Sequence, residues 1–259
     1  MSYIFVGTLI KCDKKVTIMK KYVLGFIIAI IIMPMLLIFP KANAAEPPVI
    51  IIIVPKSGLD IEAELISEEL TITGVVSEKF SESYIQFFNV HTPEFSPVKD
   101  NVVFYIQTNI GDYVIEQKIS GRQYNQLYTL DLDNGVLIEG KSLTRDISLI
   151  SLRVALTLLI EGLIFYLFKY REKRTWIVFA IVNLFTQGTL NILINSTLPT
   201  SAYILLTFYI LEVFIILFEW IVMVPLIKEG SKLKLILVIL LANVVSMLIG
   251  GYVLLTFPI

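Results

Sequence analysis

Seven polar residues lie within stretches of sequence that are otherwise apolar, and their types and spacing could support chemistry. A carboxylate held away from water takes up protons or hard cations, and a guanidinium there needs an anionic partner. Their spacing is i, i+8 in the first stretch, i, i+4 in the second and i, i+7 in the third, which places each set on one helix face. The seven are Arg153, Glu161, Asn183, Gln187, Glu212, Glu219 and Asn243.

The depth of these residues along their helices predicts two clusters. In the outer cluster we expect Arg153 to pair with Glu212 through Gln187. Because no cation lies at the depth of Glu161, we expect that side chain to be protonated or to coordinate a cation. Counting about 1.5 Å per residue from the outer helix ends, the outer cluster contains Arg153, Gln187 and Glu212, and the deeper one contains Glu161, Asn183 and Asn243, with Glu219 further in.

A structural role is the alternative explanation for the same residues. Polar side chains join membrane helices through hydrogen bonds, and small residues such as Gly162, Gly250 and Gly251 let helices approach closely. Three glutamates and an arginine on facing stripes are more than such packing usually needs. A binding site and a polar core that fixes helix packing therefore both stay open, with no catalytic residue and no metal ligand assigned.

Four apolar runs carry these residues and predict a four-helix transmembrane domain over 147–259. Hydrophobic residues make up 56% of the 259-residue chain, which is typical of membrane proteins. A helix crosses the ~30 Å hydrocarbon core in about 20 residues. The predicted spans are 147–168, 175–194, 202–226 and 235–257.

The N-terminal region predicts a secretory signal peptide over residues 19–44. It begins with Met19 and two lysines, continues as an apolar run, and ends on Ala42-Asn43-Ala44, a pattern that signal peptidase cleaves. We expect Met19 to be the true start, with residues 1–18 a non-native or dispensable extension. An uncleaved signal anchor is the alternative.

Residues 45–146 predict a small antiparallel β-sandwich. Short runs rich in Val, Ile, Tyr, Phe and Thr alternate with turn residues, and Asn134-Gly135 between two such runs is typical of a hairpin. Many short strands separated by regular turns are typical of sandwiches. The predicted strands are Val49–Val54, Asp60–Ile66, Leu70–Ser77, Ser83–Asn89, Asn101–Asn109, Tyr113–Ile119, Gln126–Leu132 and Val136–Glu139.

The distribution of charge predicts the orientation. Between Ala45 and Asp146 there are 16 acidic and 7 basic residues, whereas the basic residues of the helical region concentrate in the loops 169–174 and 228–234. The positive-inside rule places both loops in the cytoplasm, and a signal peptide independently places 45–146 outside. We therefore predict a multi-pass protein of a bacterial cell membrane, with the β domain and the C-terminus outside.

Few residues are available for metal or nucleophilic chemistry. The chain has one histidine, His91, and one cysteine, Cys12, which excludes a zinc site of these ligands and a histidine-activated nucleophile in the helices. We interpret His91 with Glu94 as solvated, and the acidic run from Glu62 to Glu69 as the outer face of an edge strand. No cofactor and no nucleic-acid partner is predicted.

Two segments, Leu156–Tyr166 and Trp176–Asn191, resemble a set of uncharacterised membrane proteins of Gram-positive bacteria. Those proteins carry an exported β-rich segment ahead of four helices, so the resemblance implies the same architecture, and it implies no activity. CAAX-type glutamyl intramembrane proteases share only the topology. They pair adjacent glutamates with histidines on neighbouring helices, and the helical region here has neither.

Three classes of function are compatible with this sequence. The first is a non-enzymatic envelope protein whose domain 45–146 binds a protein partner or senses a signal. The second is a small oligomeric transporter or ion-conducting subunit in which the intramembrane glutamates carry protons, Na⁺ or Mg²⁺. The third, an intramembrane hydrolase, lacks a visible nucleophile–base pair. We expect the first, with the lipid bilayer and an envelope protein as partners.

Overall fold

The computed structural model describes residues 48–67, 70–88, 90, 101–119, 125–199 and 203–258. The predicted extension 1–18 and signal 19–44 lie outside these ranges, as do Glu68, Glu69, His91 and Glu94. Within them, a β region in two sheets precedes four long apolar helices.

The β region contains nine strands over the described part of the chain. A five-stranded sheet has the order β4-β5-β1-β8-β9, and a four-stranded sheet has the order β3-β2-β6-β7. The strands are β1 Val49–Val54, β2 Glu62–Ile66, β3 Thr71–Thr73, β4 Val75–Glu78, β5 Ser83–Phe88, β6 Asn101–Thr108, β7 Gly111–Lys118, β8 Gln126–Asp131 and β9 Val136–Glu139.

The two sheets pack face to face over one hydrophobic core. Phe87 of the first sheet lies against Phe104 of the second, with ring centroids 5.5 Å apart. The pairing is antiparallel except between β1 and β8, which are parallel, so the prediction of an all-antiparallel sandwich is wrong at this pair. Glu62 and Glu64 are exposed, but β2 lies between β3 and β6 and is not an edge strand.

Strand β1 is buried on both faces, which alternation alone does not predict. Ile50, Ile52 and Val54 face the core between the sheets. The other face of the strand packs with Tyr84 and with Leu198, which follows the second helix. A continuous run of apolar residues is the pattern expected of a strand covered on both sides.

Gly74 divides one predicted strand, Leu70–Ser77, into two strands that belong to different sheets. β3 pairs with β2 and β4 pairs with β5, and Gly74 is the residue between them. A Cβ placed at Gly74 would lie 2.7 Å from Cγ2 of Ile85 and 3.0 Å from Cε1 of Phe87. The chain crosses between sheets here because only glycine leaves room for these core side chains.

Four helices follow the β region in the described part of the chain. By length and composition, each of them could cross a membrane. The first, second and fourth begin two to four residues earlier than the apolar runs predict, and the third begins two residues later. Ser142 precedes the first helix and Ser231 precedes the fourth, and serine is a preferred N-cap residue. The Oγ of Ser231 accepts a hydrogen bond from the Lys234 amide. The helices are α1 Leu143–Leu167, α2 Lys173–Asn195, α3 Ile204–Leu226 and α4 Lys232–Thr256.

The described residues form two compact units, and both contain parts of the helices. The sandwich unit combines the β region with the helical residues up to 157, from 187 to 210 and beyond 246. The helical unit contains Leu158–Thr186 and Leu211–Val245. Each unit is described by itself below.

Substituting Gly74 with alanine should loosen the sandwich locally. The added methyl group overpacks the core at Ile85 and Phe87, which should lower the free energy of opening of β4 and β5 by about 1–3 kcal/mol. Hydrogen exchange of these strands in the full chain measures this. Gly111→Ala is the matched control, because the nearest atom to its added Cβ lies 3.9 Å away. Equal protection in the two variants would contradict the packing argument.

Candidate functional site

All seven candidate residues are buried, with exposed fractions of 6% or less. Arg153 and Gln187 belong to the sandwich unit, and the other five belong to the helical unit. Glu212 of the predicted outer cluster therefore belongs to the same unit as the predicted deeper cluster.

Glu219 is the centre of the polar interior of the helical unit. Its Oε1 accepts a hydrogen bond from Oγ1 of Thr186 on α2 at 3.0 Å, and its Oε2 accepts one from Nδ2 of Asn243 on α4 at 2.6 Å. Glu219 is 1% exposed and Thr186 is 0% exposed. One carboxyl group thus joins three helices away from solvent.

The predicted deeper cluster contains Glu161, Asn183 and Asn243, with Glu219 further in. The structure joins Asn243 to Glu219, and Asn183 donates from Nδ2 to the carbonyl of Phe179 on its own helix. Counting residues treats a side chain as level with its Cα, whereas helical side chains lean towards the N-terminus of their helix. The lean brings Glu219 and Asn243 together because α3 and α4 run in opposite directions.

Thr186 was not predicted as part of the site. It follows Asn183 by three residues on α2, and its Oγ1 also lies 3.3 Å from the carbonyl oxygen of Asn183. That spacing was the available signal, since residues at i and i+3 share a helix face. The residue type alone does not indicate a site, because threonine is common in apolar helices, where its hydroxyl donates to a backbone carbonyl.

Apolar side chains enclose the polar group of Glu219, Thr186 and Asn243. Trp220 donates from Nε1 to the carbonyl of Ile236 at 3.2 Å, and a continuous apolar cluster packs around the helices. Glu161 and Glu212 are buried in the same unit, whereas every lysine and arginine that the structure describes in this unit is exposed. The described residues contain no group of three His, Cys, Asp or Glu side chains that could hold a metal ion.

Arg153 and Gln187 are arranged differently from the prediction. Nη2 of Arg153 donates to the carbonyl of Pro258, whereas Nε and Nη1 have no hydrogen-bond partner among the described residues. The partner found for this arginine is thus a backbone carbonyl where we predicted a glutamate. The side-chain amide of Gln187 makes no hydrogen bond within the same residues, so its predicted bridging role is wrong.

The strongest polar contact of the sandwich unit is an ion pair that the sequence did not predict. Arg145 in the first turn of α1 donates from Nε to Oε1 of Glu82 at 2.6 Å and from Nη2 to Oε2 at 2.7 Å. The hydroxyl of Tyr84 donates to Oε2 at 3.0 Å, and Asp146 accepts from Nη1 at 3.0 Å. Planar two-point contacts of this kind are stronger than single ion pairs.

Two lysines of the same unit bind the carbonyl ends of helices. Lys141 donates to the carbonyl of Asn195, the last residue of α2, at 2.5 Å and to that of Thr197, just beyond the helix, at 3.1 Å. Lys79, between β4 and β5, donates to the carbonyls of Leu254 and Leu255 in the last turn of α4. The last carbonyls of a helix lack intrahelical donors and carry partial negative charge, so cations bind there.

Burial changes the proton affinity of both lysines. Burial lowers the pKa of Lys141 to about 8, and the charge of Arg145 adds to the effect. The pKa of Lys79 is also lowered, first by burial and then by the charge of Arg153. Phe80, next to Lys79, extends the contact between the β4–β5 connection and the end of α4. Its amide donates to the carbonyl of Thr256 at 2.9 Å, and its ring stacks on Phe257.

The two basic loops of the helical unit are joined to each other. The carboxylate of Glu229 accepts hydrogen bonds from the backbone amides of Arg171 and Glu172 at 2.6 and 3.0 Å. Burial alone would raise the pKa of Glu229, but these hydrogen bonds lower it overall. Lys234 donates to the carbonyl of Phe168 at 2.7 Å. Loops 169–174 and 228–234 therefore form one end of this unit.

Replacing Glu82 by glutamine should detach the start of α1 from the sandwich. The amide cannot neutralise Arg145, whose side chain is only 10% exposed and which would keep only the more exposed Asp146 as a partner. Removing one partner of a buried ion pair costs up to about 3–5 kcal/mol. Hydrogen exchange over the first turns of α1 in the full chain measures the loss.

Two further variants act as controls for this contact. Glu116→Gln alters an exposed hydrogen bond to Asn101 and should leave α1 unchanged. The double variant Glu82→Leu with Arg145→Leu should recover part of the loss, because it removes both charges of the most buried pair and leaves only the more exposed Asp146 without its partner. A double variant no better protected than Glu82→Gln would show that the charge pair is not what holds α1.

Comparisons with known proteins assign this chain to no family. No protein-family model matches it, and no curated protein matches it. The function is therefore inferred from the two polar arrangements themselves.

Proposed function

We propose that this chain is a non-enzymatic binding or sensing protein of a bacterial cell membrane. In this proposal the β-sandwich binds an envelope protein outside the cell, and α1–α4 cross the bilayer. The four apolar helices support the membrane assignment. The helices contain no histidine or cysteine, which favours a role without catalysis. We also propose membership of the Gram-positive set that α1 and α2 resemble.

The observation that carries the proposal is the direct attachment of the sandwich to helix ends. Glu82 and Lys79 flank one short connection between β4 and β5, and they contact the start of α1 and the end of α4. Lys141 contacts the end of α2. A tethered domain would not need such contacts, whereas a domain that reports binding must transmit force through defined ones.

The proposal includes an orientation. The sandwich and the C-terminal end of α4 lie outside, and the basic loops 169–174 and 228–234 lie in the cytoplasm. The exposed lysines and arginines of those loops support this under the positive-inside rule. A cleaved signal ending at Ala44 would deliver the sandwich to the outer side.

Cysteine labelling tests this orientation. In a Cys12→Ser background, Glu139→Cys on β9 should react with a membrane-impermeant maleimide in intact cells of a Gram-positive host. Lys232→Cys at the start of α4 should react only after permeabilisation. Both positions are exposed, so reactivity depends on the side of the membrane. The reverse labelling pattern would refute the orientation.

A small oligomeric transporter or ion-conducting subunit is the second candidate function. Three buried glutamates in the helical unit, with no buried cation among the residues described there, favour it. Intramembrane carboxyl groups commonly mark ion or proton pathways. Four helices are few for a transporter, so this function requires assembly of several copies.

Flux measurements separate the two candidates. In proteoliposomes, Glu161→Gln and Glu212→Gln should each abolish a proton or Na⁺ flux if the chain transports ions, with normal yield of folded protein. Glu172→Gln, which changes an exposed loop glutamate, is the control. If the two buried variants only lower the thermal stability in detergent, the glutamates are structural and the transport function is refuted.

A further inference from the structure

We propose that Glu219, Thr186 and Asn243 form a reversible proton-binding site inside the helical unit. Glu219 takes up one proton on Oε1 and releases it again, and Thr186 reverses the direction of its hydrogen bond to match. The inference deepens the transport candidate by naming the ligand and the residue that binds it.

Thr186 is placed to serve both protonation states of Glu219. Its Oγ1 lies 3.0 Å from Oε1 of Glu219 and 3.3 Å from the carbonyl oxygen of Asn183. A hydroxyl has one proton to donate and two lone pairs to accept with. When Glu219 is ionised, Thr186 donates to it. When Glu219 is protonated, it donates to Thr186, which then donates to Asn183. Neither state leaves a donor unused, and no heavy atom needs to move.

Asn243 supplies the part of the site that stays constant. Its Nδ2 carries two protons, and it lies 2.6 Å from Oε2 of Glu219 and 3.1 Å from the carbonyl of Ile239. One proton can bond each acceptor in both states. Asn243 therefore orients the carboxyl group so that Oε1, the oxygen beside Thr186, is the one that takes up the proton.

The charges around Glu219 favour a proton as the ligand. Among the described residues of the helical unit, the other buried glutamates are Glu161 on α1 and Glu212 on α3, and α2 and α4 contribute only exposed basic residues at their first turns. Tyr170, the remaining buried titratable group of those residues, lies in the loop before α2. A carboxylate without a nearby cation is costly in such surroundings, and protonation removes its charge.

The hydrogen bonds argue against a metal ion at this carboxyl group. Both oxygens of Glu219 already accept from donor protons, those of Thr186 and Asn243. A cation would have to compete with both donors for the carboxylate oxygens. The three-carboxylate sets typical of divalent sites are also absent from the described residues.

Asn183 provides an independent indication of a ligand. Its Oδ1 has no hydrogen-bond partner among the residues that the structure describes, although the side chain is 1% exposed. It lies on the same face of α2 as Thr186, one turn earlier. A buried acceptor without a donor is unfavourable, and a water that carries the exchanging proton would satisfy it.

Infrared difference spectroscopy on the full chain in proteoliposomes tests the site. Acidification should produce the C=O band of a protonated carboxylic acid, and Glu219→Gln should remove it. Thr186→Val should shift the frequency of that band, because the hydroxyl partner is lost. Thr186→Ser should restore the wild-type frequency.

Further outcomes overturn the site or separate it from transport. A band that persists in Glu219→Gln, a Thr186→Val spectrum identical to wild type, or a change driven by Na⁺ at constant pH would each overturn it. If Glu219→Gln fails to fold, the comparison of Thr186→Val with Thr186→Ser still tests the site. A band without proton flux upholds the site and refutes transport, whereas a flux that persists in a folded Glu219→Gln upholds transport and overturns the site.

Discussion

The ion pair between Glu82 and Arg145 is the contact on which the attachment of the sandwich depends. Both side chains are almost fully desolvated, so either one alone would be strongly unfavourable. Tyr84 and Asp146 complete their hydrogen bonds. Because Tyr84 also packs on the second face of β1, the polar contact and the apolar cover of that strand share one side chain. Loss of the pair would therefore expose the second apolar face of β1, the one that packs with Tyr84.

Helix ends impose a second constraint, since each leaves carbonyl groups without donors. Lys141 and Lys79 meet that need at the ends of α2 and α4. Their burial is unfavourable for a charged amine, which is why the pKa of Lys141 falls to about 8. The contacts persist because the carbonyls offer partial negative charge in return. The sandwich is thus attached by one strong ion pair and two partly buried lysines.

The sequence predicts the parts of this structure that depend on local pattern. Strands β1 and β9 have the predicted bounds, and each of the four apolar runs coincides with most of one helix. The burial of Glu161, Glu212 and Glu219 follows from their position in those runs. Contacts between distant residues do not follow. Arg145 and Glu82 are 63 residues apart, and each is an ordinary surface residue by sequence. Gly74 has no local signal beyond its type, because the side chains that require it come from β5.

Helix α4 contributes residues to both units. In the sandwich unit its last turn accepts hydrogen bonds from Lys79. In the helical unit Asn243 donates to Glu219. A helix is a stiff element, because each turn is hydrogen-bonded to the next, so the helix fixes the position from which Asn243 meets the carboxyl group. A change in the Asn243 contact would alter which protonation state of Glu219 is favoured, and by reciprocity protonation of Glu219 would change the strength of that contact by the same factor.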